Sequence, residues 1–181
     1  MQSSSASSAT PDFAVAFREL MLRILADEMQ TTGRVLAAIP DTIRDYRPHT
    51  KSRSAWELAW HIAADVWFLE GMVAGQFQPN PDRSNPNPCQ SAAELANWYA
   101  LRYPQALEGV RSMTPEELVA PLTLGGVAEE AGFSLPAFHY LLWVHLHTVH
   151  HRGQLTSYLR PMGAKVPAVY GPSADDPPPL S

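Results

Sequence analysis

The sequence predicts an all-α protein, a four-helix bundle, on three observations. Four long segments repeat their apolar residues at steps of three and four. Capping residues and prolines mark where those segments start and stop. The connections between them are rich in Pro and Gly, with no convincing sheet pattern, so packed helices are the expected architecture.

The first segment opens at Thr10-Pro11-Asp12, a capping hydroxyl followed by a proline at the first helical position. Phe13, Phe17, Leu20, Ile24 and Leu25 then recur at helical spacing until Pro40. Asp41 to Lys51 is polar, broken by Pro48, and reads as a connection. The second segment is capped by Ser52 or Ser54 and runs to about Gly75, with Leu58, His61, Asp65 and Phe68 on one face. Gln76 to Gln90 holds four prolines and no periodicity, which predicts a long ordered or semi-ordered loop.

Ser91 to Glu94 reads as a capping box opening the third helix, which carries Leu95, Trp98, Tyr99 and Leu107. Pro104 should kink or restart it. Thr114 to Glu117 looks like the start of one further helical turn. Gly125-Gly126, between short apolar runs, suits a small hairpin or an open loop. The fourth helix is expected from near Ser134 and Pro136 to Pro161–Gly163. Residues 1–10 read as a disordered leader, 11–163 as the bundle and 164–181 as a Pro-rich, non-helical tail that wraps the bundle or frays.

At 181 residues the chain has room for one domain with a sizeable core. Its formal charge of -5 argues against a nucleic-acid binder, which tracks phosphates with a basic surface. No apolar run approaches the roughly 20 residues that span a bilayer, so no membrane partner is expected. The single cysteine, Cys89, cannot form an internal disulfide, which fits a reducing cytoplasm. It reads as a bystander thiol. The five tryptophans (Trp56, Trp60, Trp67, Trp98 and Trp143) read as core and interface.

Histidine carries the chemical signal. Five of the seven histidines fall in the fourth segment: His139, His145, His147, His150 and His151. His147 and His151 lie one turn apart, on a stripe with Tyr140, Val144, Gln154 and Tyr158 that should point inward. His150 is the competing partner of His147. Helices carry such pairs by chance, and a buried histidine is often only hydrogen-bonded core. His61, however, sits on the inward face of the second helix, and bundle ligands come from facing helices. Three unpaired imidazoles in one core would cost on the order of 1–3 kcal/mol each. A divalent ion shared between them removes that cost.

Glu57 and Asp65 are each four residues from His61, and either is a candidate to orient an imidazole. The plainer alternatives are a first-turn helix charge, the favoured reading for Glu57, and a partly exposed charge for Asp65. Gln154, seven from His147, returns to the same face, where it would contact a ligand or water. Arg152 points elsewhere and should form a structural ion pair or packing contact. Gly153, in mid-helix, suggests close approach of another helix. With Thr148 after His147 there is no H-E-x-x-H, which excludes a zincin-type protease. No Ser-His-Asp order, phosphate loop or CxxC pair is present, and no catalytic residue stands out.

Ser54-Ala55-Trp56-Glu57-Leu58-Ala59-Trp60-His61-Ile62-Ala63 and His147-Thr148-Val149-His150-His151-Arg152-Gly153-Gln154 together resemble the DinB/YfiT-like superfamily of metal-binding four-helix bundles. Val166 to Ser173 is similar to the segment that follows the last helix in many members. The resemblance implies metal ligands at His61, His147 and His151, demoting His150. It further implies one divalent ion (Zn, Ni, Fe or Mn) with open positions, a small-molecule substrate, in some members a low-molecular-weight thiol, and a homodimer. Where many relatives have Glu, this chain has Thr148.

Two function classes follow. One is a metal-dependent enzyme, a thiol-dependent S-transferase or a hydrolase. The other is a non-catalytic, stress-related module that binds a metal or small molecule. A third reading is a structural homodimer whose histidines only stabilise the bundle.

Overall fold

The computed structural model describes residues 10–125 and 132–177. Most of the expected leader, Gly126 of the expected turn and the last four residues lie outside them. Thr10 caps α1 (Pro11–Ala37), its hydroxyl accepting from Phe13 N–H at 3.3 Å. The buried stripe of α1 is Ala14, Met21, Leu22, Leu25, Val35 and Leu36. That is about one residue out of phase with the stripe expected from Phe13 and Leu20, which are 54% and 46% exposed. Phe13 and Phe17 instead pack edge-on against Phe138, with ring centroids 5.8 and 5.6 Å away.

The second long segment is two helices, α2 (Ala55–Ala63) and α3 (Asp65–Val73), meeting at Ala64. There the ladder tightens: Trp67 N–H donates to Ala64 O at 3.0 Å, one residue closer than an α-helical bond. Ser54 caps α2 in a reciprocal box with Glu57. The loop that follows contains a single turn, α4 (Pro81–Ser84), preceded by Asn80 at φ 46. Asparagine is among the few residues that tolerate that left-handed conformation.

The third long helix, α5 (Ala92–Ser112), runs through Pro104 without interruption. Ser91 caps it, but Glu94 accepts from Gln90 N–H at 2.7 Å, one residue before the expected partner. A capped turn, α6 (Pro115–Val119), leads into a two-stranded antiparallel ladder, β1 (Pro121–Leu124) and β2 (Phe133–Pro136), with Pro121 opposite Pro136. The last helix, α7 (His139–Leu159), therefore starts later than expected. Ser134 to Pro136 pair with β1 instead, and Ala137 and Phe138 N–H donate to Ala120 O and Leu118 O. Tyr140 OH donates to Leu122 O at 2.7 Å, binding α7 to the ladder.

In the bundle α1 packs against α5 and α7, while α2 and α3 lie against α7 and α5. Among the described residues no helix is long and apolar enough to cross a membrane. The core is almost entirely apolar, and its largest fully buried side chain is Arg152. Its guanidinium pairs with Glu28 at 2.5 Å, donates to Thr32 Oγ1 at 3.1 Å and to Tyr170 OH at 2.7 Å. Tyr170 belongs to the non-helical tail, which also packs Val166 and Val169 on the core. The tail thus lies across the bundle.

Gly153 is exposed, and a Cβ there would meet nothing within 4 Å among the described residues. The close helix contact expected at it is absent. Gly153→Ala should raise stability by roughly 0.5–1 kcal/mol, the difference in helix propensity, read as a shifted urea midpoint. Arg152→Met should lower it by roughly 3–5 kcal/mol, because Glu28 loses its buried partner.

Candidate metal centre

Helices α2 and α7 bring three imidazoles together. His61 comes from the last turn of α2, and His147 and His151 from successive turns of α7. Ring centroids of His61 and His147 are 4.8 Å apart, and that of His151 lies 4.6 and 4.4 Å from them. One donor atom from each lies within 4.8 Å of the other two. His150 is exposed, outside this group, with its Nε2 3.1 Å from the Gln154 amide nitrogen.

Each ring of the triad is held from behind through Nδ1. His147 Nδ1 lies 3.0 Å from Asp65 Oδ1, and His61 Nδ1 lies 3.1 Å from Asp82 Oδ2. His151 Nδ1 is 2.8 Å from Gln154 Oε1. The outer partners are fixed in turn. Thr148 Oγ1 donates to Asp65 Oδ2 at 2.5 Å, while Arg53 donates to Asp82 Oδ2 at 2.6 Å. The Thr148 hydroxyl thus supports the orienting carboxylate of the neighbouring histidine.

Asp65 stands where the sequence put it, at the first residue of α3, buried, with both oxygens engaged. Gln154 is exposed and backs His151 rather than facing the site. Glu57 is a correction. It closes the capping box and takes a two-pronged contact from Arg47, 2.8 Å to each oxygen, facing away from the triad. A glutamate at the third helical position is drawn to the free N–H groups of its own cap.

The residue missed from the sequence is Asp82. It sits in the aperiodic proline-rich loop, 21 positions beyond His61, and no local spacing links the two. The loop is placed by Trp60, whose indole N–H faces Asp82 O at 3.0 Å and Asn85 O at 3.1 Å. It also crosses α3 at Gly71, where a Cβ would stand 2.9 Å from Gln76 O. Only glycine admits that crossing.

Electrostatics follow the contacts. Burial pushes His147 down, but the Asp65 carboxylate outweighs it and holds the ring above its ordinary value. Burial pushes His151 down to about 4, opposed by Gln154. The contact with His61, then Arg53, holds Asp82 far below the usual carboxylate range despite burial. Cys89 is buried away from this chemistry, and burial raises its thiol, which suits an unreactive side chain.

The donor set fits a metal ion. An imidazole whose Nδ1–H faces a carboxylate or amide oxygen presents a lone pair at Nε2. His61 Nε2 and His147 Nε2 face each other at 3.1 Å. Two lone pairs that close repel unless a cation lies between them. A shared proton would use two rings; here a third, His151, converges on the same place. Nitrogens bound to one zinc at about 2.0–2.1 Å stand roughly 2.8–3.4 Å apart, for angles from square to tetrahedral, and the His61–His147 pair meets that separation.

Beside the triad opens a cavity of about 390 Å³. Its lining includes Arg53, His61, Asp82 and His147 together with the rings of Phe68, Phe77 and Trp143. Trp143, expected in the core or at an interface, is 36% exposed on this wall.

Comparisons with known proteins bear on the family and the fold. An uncharacterized protein of Bacillus subtilis (strain 168), YrdA, is 25% identical over 150 residues, covering 82% of this chain and 85% of YrdA. The crystal structure of a DinB-like protein from Bacillus cereus ATCC 10987 superposes with a TM-score of 0.66 at 23% identity, covering 84% of this chain and 97% of that one. A DinB-like protein of Bacillus subtilis, YjoA, gives 0.64 at 21% identity, covering 83% and 97%. At those identities the two structures speak for the fold alone. The profile of the DinB family matches residues 8–179, nearly the whole sequence, and the chain belongs to the DinB family.

Proposed function

We propose that this protein is a metal-dependent enzyme acting on a small molecule, and that its reaction is transfer of a thiol sulfur. The observation that carries the metal reading is the pair of Nε2 atoms facing at 3.1 Å, each ring backed by a carboxylate. His61, His147 and His151 would hold the ion, and Asp65, Asp82 and Gln154 would fix the rings. When bound, the ion supplies a Lewis acid that lowers the pKa of a coordinated nucleophile. Zn, Ni, Fe and Mn all accept nitrogen donors of this kind.

Thiol is favoured over water as nucleophile by the fate of the carboxylates. Asp65 has both oxygens committed, and Asp82 holds His61 and Arg53 on one of its own. The same two partners hold Asp82 far below the usual carboxylate range, so the oxygen it leaves free is a weak base. A thiol, with an unperturbed pKa near about 8.5, needs far less help to ionise than water does. The same commitment of the carboxylates favours a second reading, a module that binds metal and small molecule without turnover.

Protein purified without an affinity tag should carry close to one equivalent of divalent metal by elemental analysis, and apo-protein should bind Zn or Ni in calorimetry. An apo-protein with no affinity for either ion would sink both readings. Incubated with a small thiol and a chlorodinitrobenzene, the loaded protein should form the thioether and release chloride and a proton, and a chelator should stop it. Faster cleavage of a nitrophenyl ester would point to hydrolysis, while neither activity would favour the binding module.

Asp65→Asn and Asp82→Asn should each weaken metal binding roughly 10–100-fold, the usual effect of losing a partner behind a ligating histidine. Glu57→Gln should leave the affinity unchanged. Calorimetric titration of the three variants separates the carboxylates that orient a ring from the one that caps a helix.

A further inference from the structure

The lining of the cavity narrows the class of molecule it takes. Four rings form a continuous column ending at the triad. Phe77 stacks on Phe68 with centroids 4.4 Å apart and an interplanar angle of 18°. Phe68 stacks on Trp143 at 4.7 Å and 21°, and Trp143 on His147 at 5.0 Å and 14°. Both faces of Phe68 and of Trp143 are therefore covered by neighbouring rings, which leaves ring edges to line the cavity. Aromatic edges carry the positive end of the ring quadrupole and favour the electron-rich face of another ring laid across them.

The charges lining the cavity are also uneven. The charged side chains lining the cavity besides the histidines are Arg53, Asp65 and Asp82. A divalent ion on neutral imidazoles is offset by the two carboxylates, so the charge of Arg53 remains. Its side chain is 35% exposed and reaches Asp82 through Nη1. One positive charge in a partly enclosed site selects a ligand with one negative charge.

We propose that the site takes a singly charged anion bearing an aromatic ring, with the anionic group between the triad and Arg53 and the ring laid across the edges of Phe77, Phe68 and Trp143. The proposal rests on the metal reading above and names the substrate class of that site. In thiol transfer such a ligand is an aryl or arylalkyl acid carrying the electrophilic carbon, or an aromatic thiolate.

The test uses three hydroxamates with one chelating group and different tails: benzohydroxamate, cyclohexanecarbohydroxamate and acetohydroxamate. Zinc is first titrated into the full-length protein by calorimetry, and each hydroxamate is then titrated into the zinc-loaded form. Benzohydroxamate should bind about tenfold tighter than acetohydroxamate, as expected for burying a ring, and clearly tighter than the cyclohexyl compound. In Trp143→Ala and in Phe77→Ala the advantage over acetohydroxamate should fall to about twofold with zinc affinity retained. Arg53→Gln should weaken all three alike, and Arg53→Lys should restore them.

Equal affinity of the three compounds for zinc-loaded protein would overturn the ring subsite and leave the metal centre standing. So would a preference untouched by either aromatic variant. A cyclohexyl compound binding as well as the phenyl one would overturn the aromatic class. Hydroxamate affinities unmoved by Arg53→Gln would overturn the anionic class. Failure of zinc to bind at all would bring down the metal reading, and this inference with it.

Discussion

Between α2 and α7 two imidazole nitrogens face each other at 3.1 Å, and much of the surrounding structure is arranged around that contact. A helix–helix interface ordinarily fills such a place with apolar side chains, which need no partner. Here the two rings meet edge-on, at 70° to one another, each backed by an outer carboxylate. Asp65 reaches His147 because α3 begins afresh at that residue, and Thr148 on α7 returns the contact to Asp65. Asp82 reaches His61 because Trp60, one residue before it, fastens the loop to α2. The interface is therefore a polar clamp set in an apolar core. Such an arrangement is costly unless every member is satisfied.

A second polar cluster lies on the other side of α7. Arg152 follows His151 directly, so one turn of helix sends one side chain to the triad and the next to Glu28, Thr32 and Tyr170. The guanidinium fixes the rotation of α7 about its own axis, because no other setting satisfies it within an apolar core. That rotation also aims His147 and His151 at His61. The tail residue Tyr170 closes the cluster, which ties the tail to the orientation of the three histidines.

The sequence was most legible where chemistry and helical period coincide. His61, His147, His151 and Asp65 all lie on helices, where steps of three, four and seven put residues on a common face, and the structure brings them together. Arg152 was legible for the same reason, being out of phase with the triad. Period misled where apolar residues fall on more than one face. Phe13 and Leu20 of α1 define a stripe that the fold leaves partly exposed, while small Ala14 and Met21 take the buried positions. Ser134 to Pro136 read as a helix start until a partner strand claims them, with Pro121, 15 positions earlier, opposite Pro136. Asp82 and Phe77 had no periodic signal, because loop residues acquire their neighbours only from the tertiary fold.

That loop bears on how the protein can change over evolutionary time. Residues 76–90 supply the carboxylate behind His61 and also Phe77, one end of the ring column on the cavity wall. On the function proposed above, hold on the ion and shape of the ligand would thus be written into one short stretch of chain. An insertion or replacement there alters both together, and no helix needs to move for it to do so. Divergence of specificity in this chain would be concentrated in its least regular segment, with a shift in metal affinity as its by-product.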